Sequence, residues 1–356
     1  MRTLGVGIVG TGGIARQHGI AWQANASRGE IVAVADVSPT RATYFADTFT
    51  KDARHYEGLD ALLTDPNVDI IDICLPHHLH TEAIIASARA GKAIICEKPL
   101  CTTMEDARAI DAAITESGVV FMMAHNQLFQ PTLIEAQRLL AAGALGRPFT
   151  FRSIEVFQHR AMSSGQMPAH MKDGENPWAW RADLSRMGGG EILDTGWHAT
   201  YRLLALAGDD RPVEVTAMLE NFFVKALPAE DTGSLQVRFE SGAIGQILTS
   251  WAFSTIDGWH FEVAAENGVI AGGGTRLAHQ LHGWPHPAER TVEPAHSFTG
   301  EVTHFLDVLQ NDVPNQASFR HGARVLQLTK AAYSAAAEKR TFTLPEDPTA
   351  DPIPAS

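Results

Sequence analysis

Through its first third the chain repeats one pattern: a short run of consecutive apolar residues, then a longer stretch whose apolar residues recur every three or four positions. The runs are LGVGIVG, IVAVAD, DIIDICLP, AIICE and VVFMMA, spread over residues 4–124. Unbroken hydrophobicity is what strands covered by helices on both faces require. Helical spacing over Thr81–Ala90 and Met104–Ser117 supplies such covers, so this half predicts βαβ units around a parallel sheet. After Gly146-Arg-Pro the pattern changes. Phe149–Phe157, Val213–Phe223, Ser234–Phe239, Ala243–Trp251 and His260–Ala265 read as strands with few helices between them, which predicts an antiparallel or mixed sheet with one covered face. Phe298–Gln310 and His321–Glu338 read as late helices. The closing PEDPTADPIPAS has no apolar periodicity and predicts a loose tail, or an arm that orders only against another subunit.

A length of 356 residues suggests two domains, each with a well-buried core. The content of 45% hydrophobic and 19% charged residues is that of a globular protein. No apolar run approaches the ~20 residues of a membrane span, so membrane insertion is not expected. The amino terminus, MRTLGVGIVG, lacks the features of a signal peptide and reads as a buried strand, from which a cytoplasmic location is expected. Cys74, Cys96 and Cys101 are too few and too irregular for a disulfide framework or a zinc site and read as reduced core thiols. A net charge of −13 with no basic block argues against a nucleic-acid partner.

Four glycines crowd into Gly7-Ile-Val-Gly-Thr-Gly-Gly-Ile-Ala15, between the first strand and the first helix, and the stretch fits G-x-G-x-x-G/A. There Gly10 permits a tight turn, Gly12 lets the backbone approach a pyrophosphate, and Ala15 lets helix and strand pack closely. Gly13 and Ile14 lead into the helix amino terminus, whose NH groups would face the phosphates. Asp36 closes the next strand in VAVADVSP, about 20 residues on, where an acid accepts both ribose hydroxyls of an adenosine. The plainer alternative is a turn that merely packs, with Asp36 capping the helix after Pro39. Asp36 would repel a 2′-phosphate and no Arg follows it directly, so NAD is favoured over NADP.

Two further stretches complete a pattern: Ile94-Ile-Cys-Glu97-Lys98-Pro99 at a strand end, and Gly188-Gly-Gly-Glu-Ile-Leu-Asp194-Thr-Gly-Trp-His198 at a helix entrance. With the glycine fingerprint they resemble the glucose-fructose oxidoreductase, inositol dehydrogenase and rhizopine-catabolism (Gfo/Idh/MocA) family, over residues 3–340. The resemblance implies an α/β chain: a Rossmann domain with a doubly wound parallel sheet over 1–126, a substrate-binding and oligomerisation domain over 127–344 with a large open, mostly antiparallel sheet, and a Pro-rich tail over 345–356. It implies an NAD(P)-dependent oxidoreductase acting on a CH–OH group of a sugar or polyol without a metal, in a homodimer or homotetramer.

The residues agree with that chemistry. A strand carboxyl end in a doubly wound sheet faces the ligand crevice, so Lys98 is expected beside the nicotinamide, where it polarises the reacting hydroxyl or takes its proton. Asp194 and His198, four apart, share a helix face, with Leu193, Trp197, Thr200 and Leu204 turned to the core. Imidazole suits proton transfer near neutral pH. The expected roles are His198 as acid/base, Lys98 as hydroxyl-polarising partner and Asp194 as hydroxyl ligand and electrostatic support, with His198 and Lys98 interchangeable on sequence alone. The three glycines before them are expected to let backbone approach a ligand or the other domain.

Around these, the resemblance places Pro76, His77, His80, Glu97 and Asn126 at the ribose and nicotinamide end of the cofactor, although His77 stands where Asn is commoner and Gln127 and Leu128 where Arg is usual. Gln158, His159, Trp178, Trp180 and Arg181 lie in a long Met-, Gly- and Pro-rich segment, where aromatics beside Arg and His suit a sugar face. A core-covering loop with buried Trp is the equal alternative, and the Trp180-Arg181 pair, common among relatives, singles out Arg181. His77, His78 and His80 lack an evident carboxylate or thiolate partner, so no metal is expected there. Two other functions remain open: transient oxidation by bound NAD during glycoside cleavage or elimination, and a non-catalytic nucleotide sensor, against which retention of Lys98, Asp194 and His198 counts.

Overall fold

The structure, a computed structural model, describes residues 2–158, 179–225, 227–256 and 258–355. It divides into two compact units: Met1–Phe129 with Ala295–Gly322, and Gln130–Pro294 with Ala323–Ser356.

In the first unit the apolar runs become parallel strands, β1 (Leu4–Val9), β2 (Gly29–Ala35), β4 (Ile70–Ile73), β5 (Ala93–Glu97) and β6 (Phe121–Ala124), joined at the edge by β3 (Arg54–Tyr56). The order is β3-β2-β1-β4-β5-β6, with every neighbouring pair parallel. Val6, Ile8, Ile70, Ile71, Ile94 and Ile95 are fully buried in its middle strands, as a sheet covered on both faces demands. The covers are α1 (Ala15–Ala24), α2 (Pro39–Phe49), α3 (Leu59–Leu63), α4 (His80–Arg89) and α5 (Met104–Ser117). Capping fixes where the longer ones start: the Ser38 side chain accepts from the Arg41 amide ahead of Pro39, and Thr103 accepts from the Asp106 amide.

The helix Ser297–Asn311 returns to this unit and lies on α1, where Arg28 pairs with Asp307 at 2.8 Å and Thr303 donates to Asn25 at 3.0 Å. Its Val302, Phe305 and Leu306 are fully buried, so the range 1–126 expected for the first domain lacks a segment that completes this core.

The second unit holds a ten-stranded mixed sheet of β7 (Pro148–Val156), β8 (Pro212–Glu220), β9 (Thr232–Phe239), β10 (Ile244–Ser250), β11 (Phe261–Ala265), β12 (Gly268–Gly273), β13 (Arg276–Leu281), β14 (Ala288–Thr291), β15 (Phe342–Thr343) and β16 (Ile353–Pro354). Its order is β14-β13-β12-β11-β7-β10-β9-β8-β15-β16, and β7 with β10 is the parallel pair among antiparallel neighbours. Along β9, Leu235, Val237 and Phe239 are buried while Ser234, Gln236 and Arg238 are exposed, the alternation of a sheet with one covered face.

The closing residues are a correction. Phe342 pairs with both Pro354 and Val215, and the Phe319–Glu338 helix gathers the carbonyls between. Arg324 donates to Pro345 O at 2.7 Å and to Glu346 O, and Gln327 donates to Asp347 O and Ala350 O at 2.8 Å. The segment orders on its own chain because its backbone acceptors, invisible to a search for apolar periodicity, meet side-chain donors. The three cysteines are buried thiols outside any disulfide.

Candidate active site

The first unit carries a cofactor cradle. Gly10 has φ of 85°, and a Cβ there would sit 2.6 Å from the Cys74 carbonyl, so the turn admits glycine. A Cβ at Gly12 would meet nothing within 4 Å, which leaves an open backbone face. Gly13 and Ile14 are exposed beside it, and Ile14 caps α1 without a side-chain hydrogen bond. A helix start uncapped by a side chain beside an open glycine face fits a pyrophosphate.

Asp36 ends β2 with its carboxylate enclosed by donors. Thr11 N and Oγ1 each reach Oδ2 at 2.8 Å, Ser38 N reaches Oδ1 at 2.8 Å, and Arg41 Nη2 reaches Oδ1 at 2.7 Å. Burial by itself would raise this carboxyl; the bonds from Arg41, Ser38 and Thr11 hold it below its ordinary value. Arg41, five residues downstream in the first turn of α2, is a neighbour that a search of the positions directly after Asp36 passes over.

Three residues expected at the cofactor serve other bonds here. His80 is fully buried, with Nδ1 2.6 Å from Pro99 O and Nε2 2.8 Å from Leu75 O, so it ties the end of β4 to the end of β5. Glu97 is buried and bonded to His18 Nε2 at 3.1 Å and to the Lys98 amide at 3.0 Å. Asn126 donates through Nδ2 to Ser297 Oγ at 3.1 Å. The reason is common to all: strand ends in this sheet need polar anchors as well as ligands. Pro76 precedes the short turn His77–Leu79 and is half-buried, while His77 is buried within that turn. Lys98 is half-buried directly after β5, and its peptide bond to Pro99 is cis.

In the second unit the glycines pack against their own side chains. A Cβ at Gly189 would lie 2.3 Å from the Tyr333 hydroxyl and one at Gly190 the same distance from the Glu230 carboxyl, so these glycines answer a close approach within the unit. The helix they open is broken at Thr195 into Glu191–Asp194 and Gly196–Ala207. Leu193, Trp197 and Thr200 face the core, while Leu204 is half-buried.

Asp194 is buried and accepts from Arg181 Nε at 2.7 Å, and the Arg181 guanidinium stacks on Trp180 at 4.2 Å. His198 is half-buried, with Nδ1 2.8 Å from the Tyr201 hydroxyl and the two rings edge to face. Beneath them Arg202, fully buried, donates to Glu155 at 2.9 Å, Ser153 Oγ at 3.1 Å and Ile154 O at 2.7 Å. Burial would raise Glu155; Arg202, then His198 and His260, hold it low. Tyr201, Arg202 and Glu155 were not among the sequence candidates. The first two stand three and four residues after His198, the spacing of helix neighbours, which was a usable signal. Glu155 had none beyond its place on a strand. Gln158 is exposed, and its amide donates to Ser254 Oγ at 3.4 Å; His159 and Trp178 lie outside the described residues.

A parallel six-stranded sheet with a glycine cradle and an acid at the end of its second strand, followed by a unit that presents an imidazole and a paired carboxylate, defines a dinucleotide-dependent oxidoreductase. Comparison with known proteins agrees. Residues 4–125 match the oxidoreductase family with an NAD-binding Rossmann fold, and residues 133–271 match the GFO/IDH/MocA C-terminal domain. The chain belongs to the Gfo/Idh/MocA oxidoreductase family, and NAD is its cofactor.

It is 30% identical over 266 residues to 1,5-anhydro-D-fructose reductase of Ensifer adhaerens, covering 75% of this chain and 74% of that protein. It is 26% identical to inositol 2-dehydrogenase of Rhizobium meliloti, covering 96% of this chain and 99% of that one. Its fold matches that of a levoglucosan dehydrogenase in complex with NADH, with a TM-score of 0.86 and 23% identity across 97% of this chain and all of the other. Among the described residues no helix is long and apolar enough to cross a membrane.

Proposed function

We propose that this chain oxidises a secondary hydroxyl of a sugar, cyclic polyol or glycoside, with His198 taking the hydroxyl proton, Lys98 polarising the hydroxyl and Asp194 stabilising the charge that develops. Bound NAD supplies the hydride acceptor, and Gly12, the start of α1 and Asp36 would hold it. Asp36 would accept the adenosine ribose hydroxyls of NAD, while Arg41, 2.7 Å from it, offsets part of the charge that would repel a 2′-phosphate. The observation that carries the reading is the His198 imidazole, gripped at Nδ1 by the Tyr201 hydroxyl at 2.8 Å on the helix that follows the Arg181-bound Asp194. A ring fixed in orientation and half-buried suits general acid/base work. Arg181 stacked on Trp180 offers donors beside an aromatic face, as sugars require. Relatives named for anhydrofructose and inositol chemistry support the substrate class.

The test is absorbance-monitored NADH formation by purified protein with NAD and a panel of inositols, aldoses, sugar acids and glycosides, with NADP run beside it. A steady rise with one substrate class is expected. NAD binding with no rise across the panel in either direction would overturn a net dehydrogenase.

A further inference from the structure

Four elements of the first unit each send a titratable side chain to one buried point: His18 from α1, Asp72 from β4, Glu97 from the end of β5, and Glu301 from the Ser297–Asn311 helix. His18, Asp72 and Glu301 are fully buried, and Glu97 is nearly so. His18 Nδ1 lies 2.9 Å from Asp72 Oδ2, and its Nε2 lies 3.1 Å from Glu97 Oε1. Asp72 also accepts from Trp22 Nε1 at 2.7 Å and faces the Cys74 thiol at 3.6 Å. The Phe298 ring covers the imidazole at 5.6 Å. Glu301 meets no donor at either oxygen among the described residues.

Each ring nitrogen of His18 faces a carboxylate oxygen, and an acceptor on both sides asks for a donor at both nitrogens. Burial alone would lower the imidazole's pKa; Asp72 and then Cys74 together outweigh it and raise the ring well above its ordinary value. Glu301, buried without a donor and beside Glu97 and Asp72, is pushed well above the ordinary carboxyl range and stays neutral. His18, Asp72 and Cys74 also offer atoms within 4.8 Å of one another, as a metal would need. Both imidazole nitrogens, however, already face carboxylates.

We propose that His18 is a positioning residue: a buried imidazolium that locks Glu97, and through the bond from the Lys98 amide to Glu97 Oε2 fixes the Lys98 backbone against the helix that carries the glycine cradle. Glu301 fills the remaining space as a neutral acid. The inference rests on the reading of Lys98 as a catalytic residue, but the charge state of His18 does not.

Nitrogen-15 NMR of the full chain labelled at histidine reads that charge state directly. At pH ~8, above the ordinary imidazole range, both His18 ring nitrogens are expected in the protonated form. One unprotonated nitrogen there overturns the imidazolium. His18→Gln is then expected to lower kcat about 100-fold, as a small displacement of a reacting group does, with NAD affinity measured by calorimetry changed far less. Glu97→Gln, which keeps the shape and removes the charge, should reproduce that split if His18→Gln does not fold. Equal losses in kcat and NAD affinity would mean general loosening and sink the positioning role. Glu301→Gln replaces one neutral group by another and should leave both unchanged; a large loss overturns its neutrality. If Lys98→Met keeps turnover, the reading of Lys98 fails while the NMR result stands. If Lys98→Met is inactive and both His18→Gln and Glu97→Gln turn over normally, positioning fails alone.

Discussion

Two sites, one in each unit, balance their acids with different cations. In the first, a histidine stands between Asp72 and Glu97; in the second, Arg202 holds Glu155 and Arg181 holds Asp194. A guanidinium keeps its proton throughout the working range, whereas an imidazole is the side chain made to lose one. Where no cation among the described residues faces the acid, as at Glu191, burial pushes the carboxyl well above its ordinary range and it stays protonated. The cations that hold Glu155 and Asp194 are therefore permanent, and the one between Asp72 and Glu97 is conditional on pH.

The largest expected effects lie on the reacting groups. Lys98→Met and His198→Asn should each lower kcat by about 10²–10⁴-fold while NAD still binds, which steady-state kinetics and calorimetry check. If both residues serve one proton transfer, the double variant should be little worse than the poorer single one. Additive losses would show that they act on separate steps, and near-normal turnover of Lys98→Met would remove it from the site.

Next comes the permanent cation. Arg202→Leu leaves the half-buried Glu155 beside an apolar side chain, which should destabilise the second unit by up to about 3–5 kcal/mol in urea unfolding. Glu155→Gln added to it should recover much of that loss. A small effect of Arg202→Leu would mean that Glu155 had found water.

The conditional cation predicts a contrast in pH dependence. The pKa of His18 is raised on folding, so its contribution is fully present below the ordinary imidazole value, about 6.5, and fades as pH rises through the folded one. Glu155 is lowered on folding, so its contribution is present above the ordinary carboxyl range and lost as pH falls through its folded value. The stability gap between the chain and His18→Gln should narrow towards alkaline pH, and that for Glu155→Gln should narrow towards acid. Parallel curves would erase the distinction between the two sites.

Much of this was legible in the sequence because it depends on local order. Unbroken apolar runs gave β1, β2 and β4–β6, whereas β3 is an Arg-His-Tyr held at an edge by backbone pairing and by bonds from Arg54 and Tyr56 to Asp65, with no apolar run to announce it. Gly10, Gly12 and Asp36 followed from a fixed spacing. His80 and Glu97 stood at strand ends where ligands bind, but what they touch is decided by Pro99, Leu75 and His18, up to 79 positions away. The ordering of the closing residues depends likewise on Arg324 and Gln327, some twenty positions earlier, whose bonds run to backbone oxygens that no residue type announces.

The smallest effect isolates orientation within the second unit. Tyr201→Phe removes one hydroxyl, leaves the buried ring in place, and frees His198 Nδ1 from a bond of 2.8 Å. A neutral hydrogen bond contributes about 0.5–1.5 kcal/mol, so kcat should fall by roughly 2- to 12-fold. Because Asp194, Arg181 and the buried Arg202 keep their bonds, KM should move less than kcat, and unfolding should shift by no more than the same energy. A fall in kcat with an unshifted pH profile would show that Tyr201 aims the imidazole, whereas a profile moved along the pH axis would show that it sets the ring's proton affinity. No change in kcat at all would show that the Tyr201 hydroxyl does not orient the imidazole.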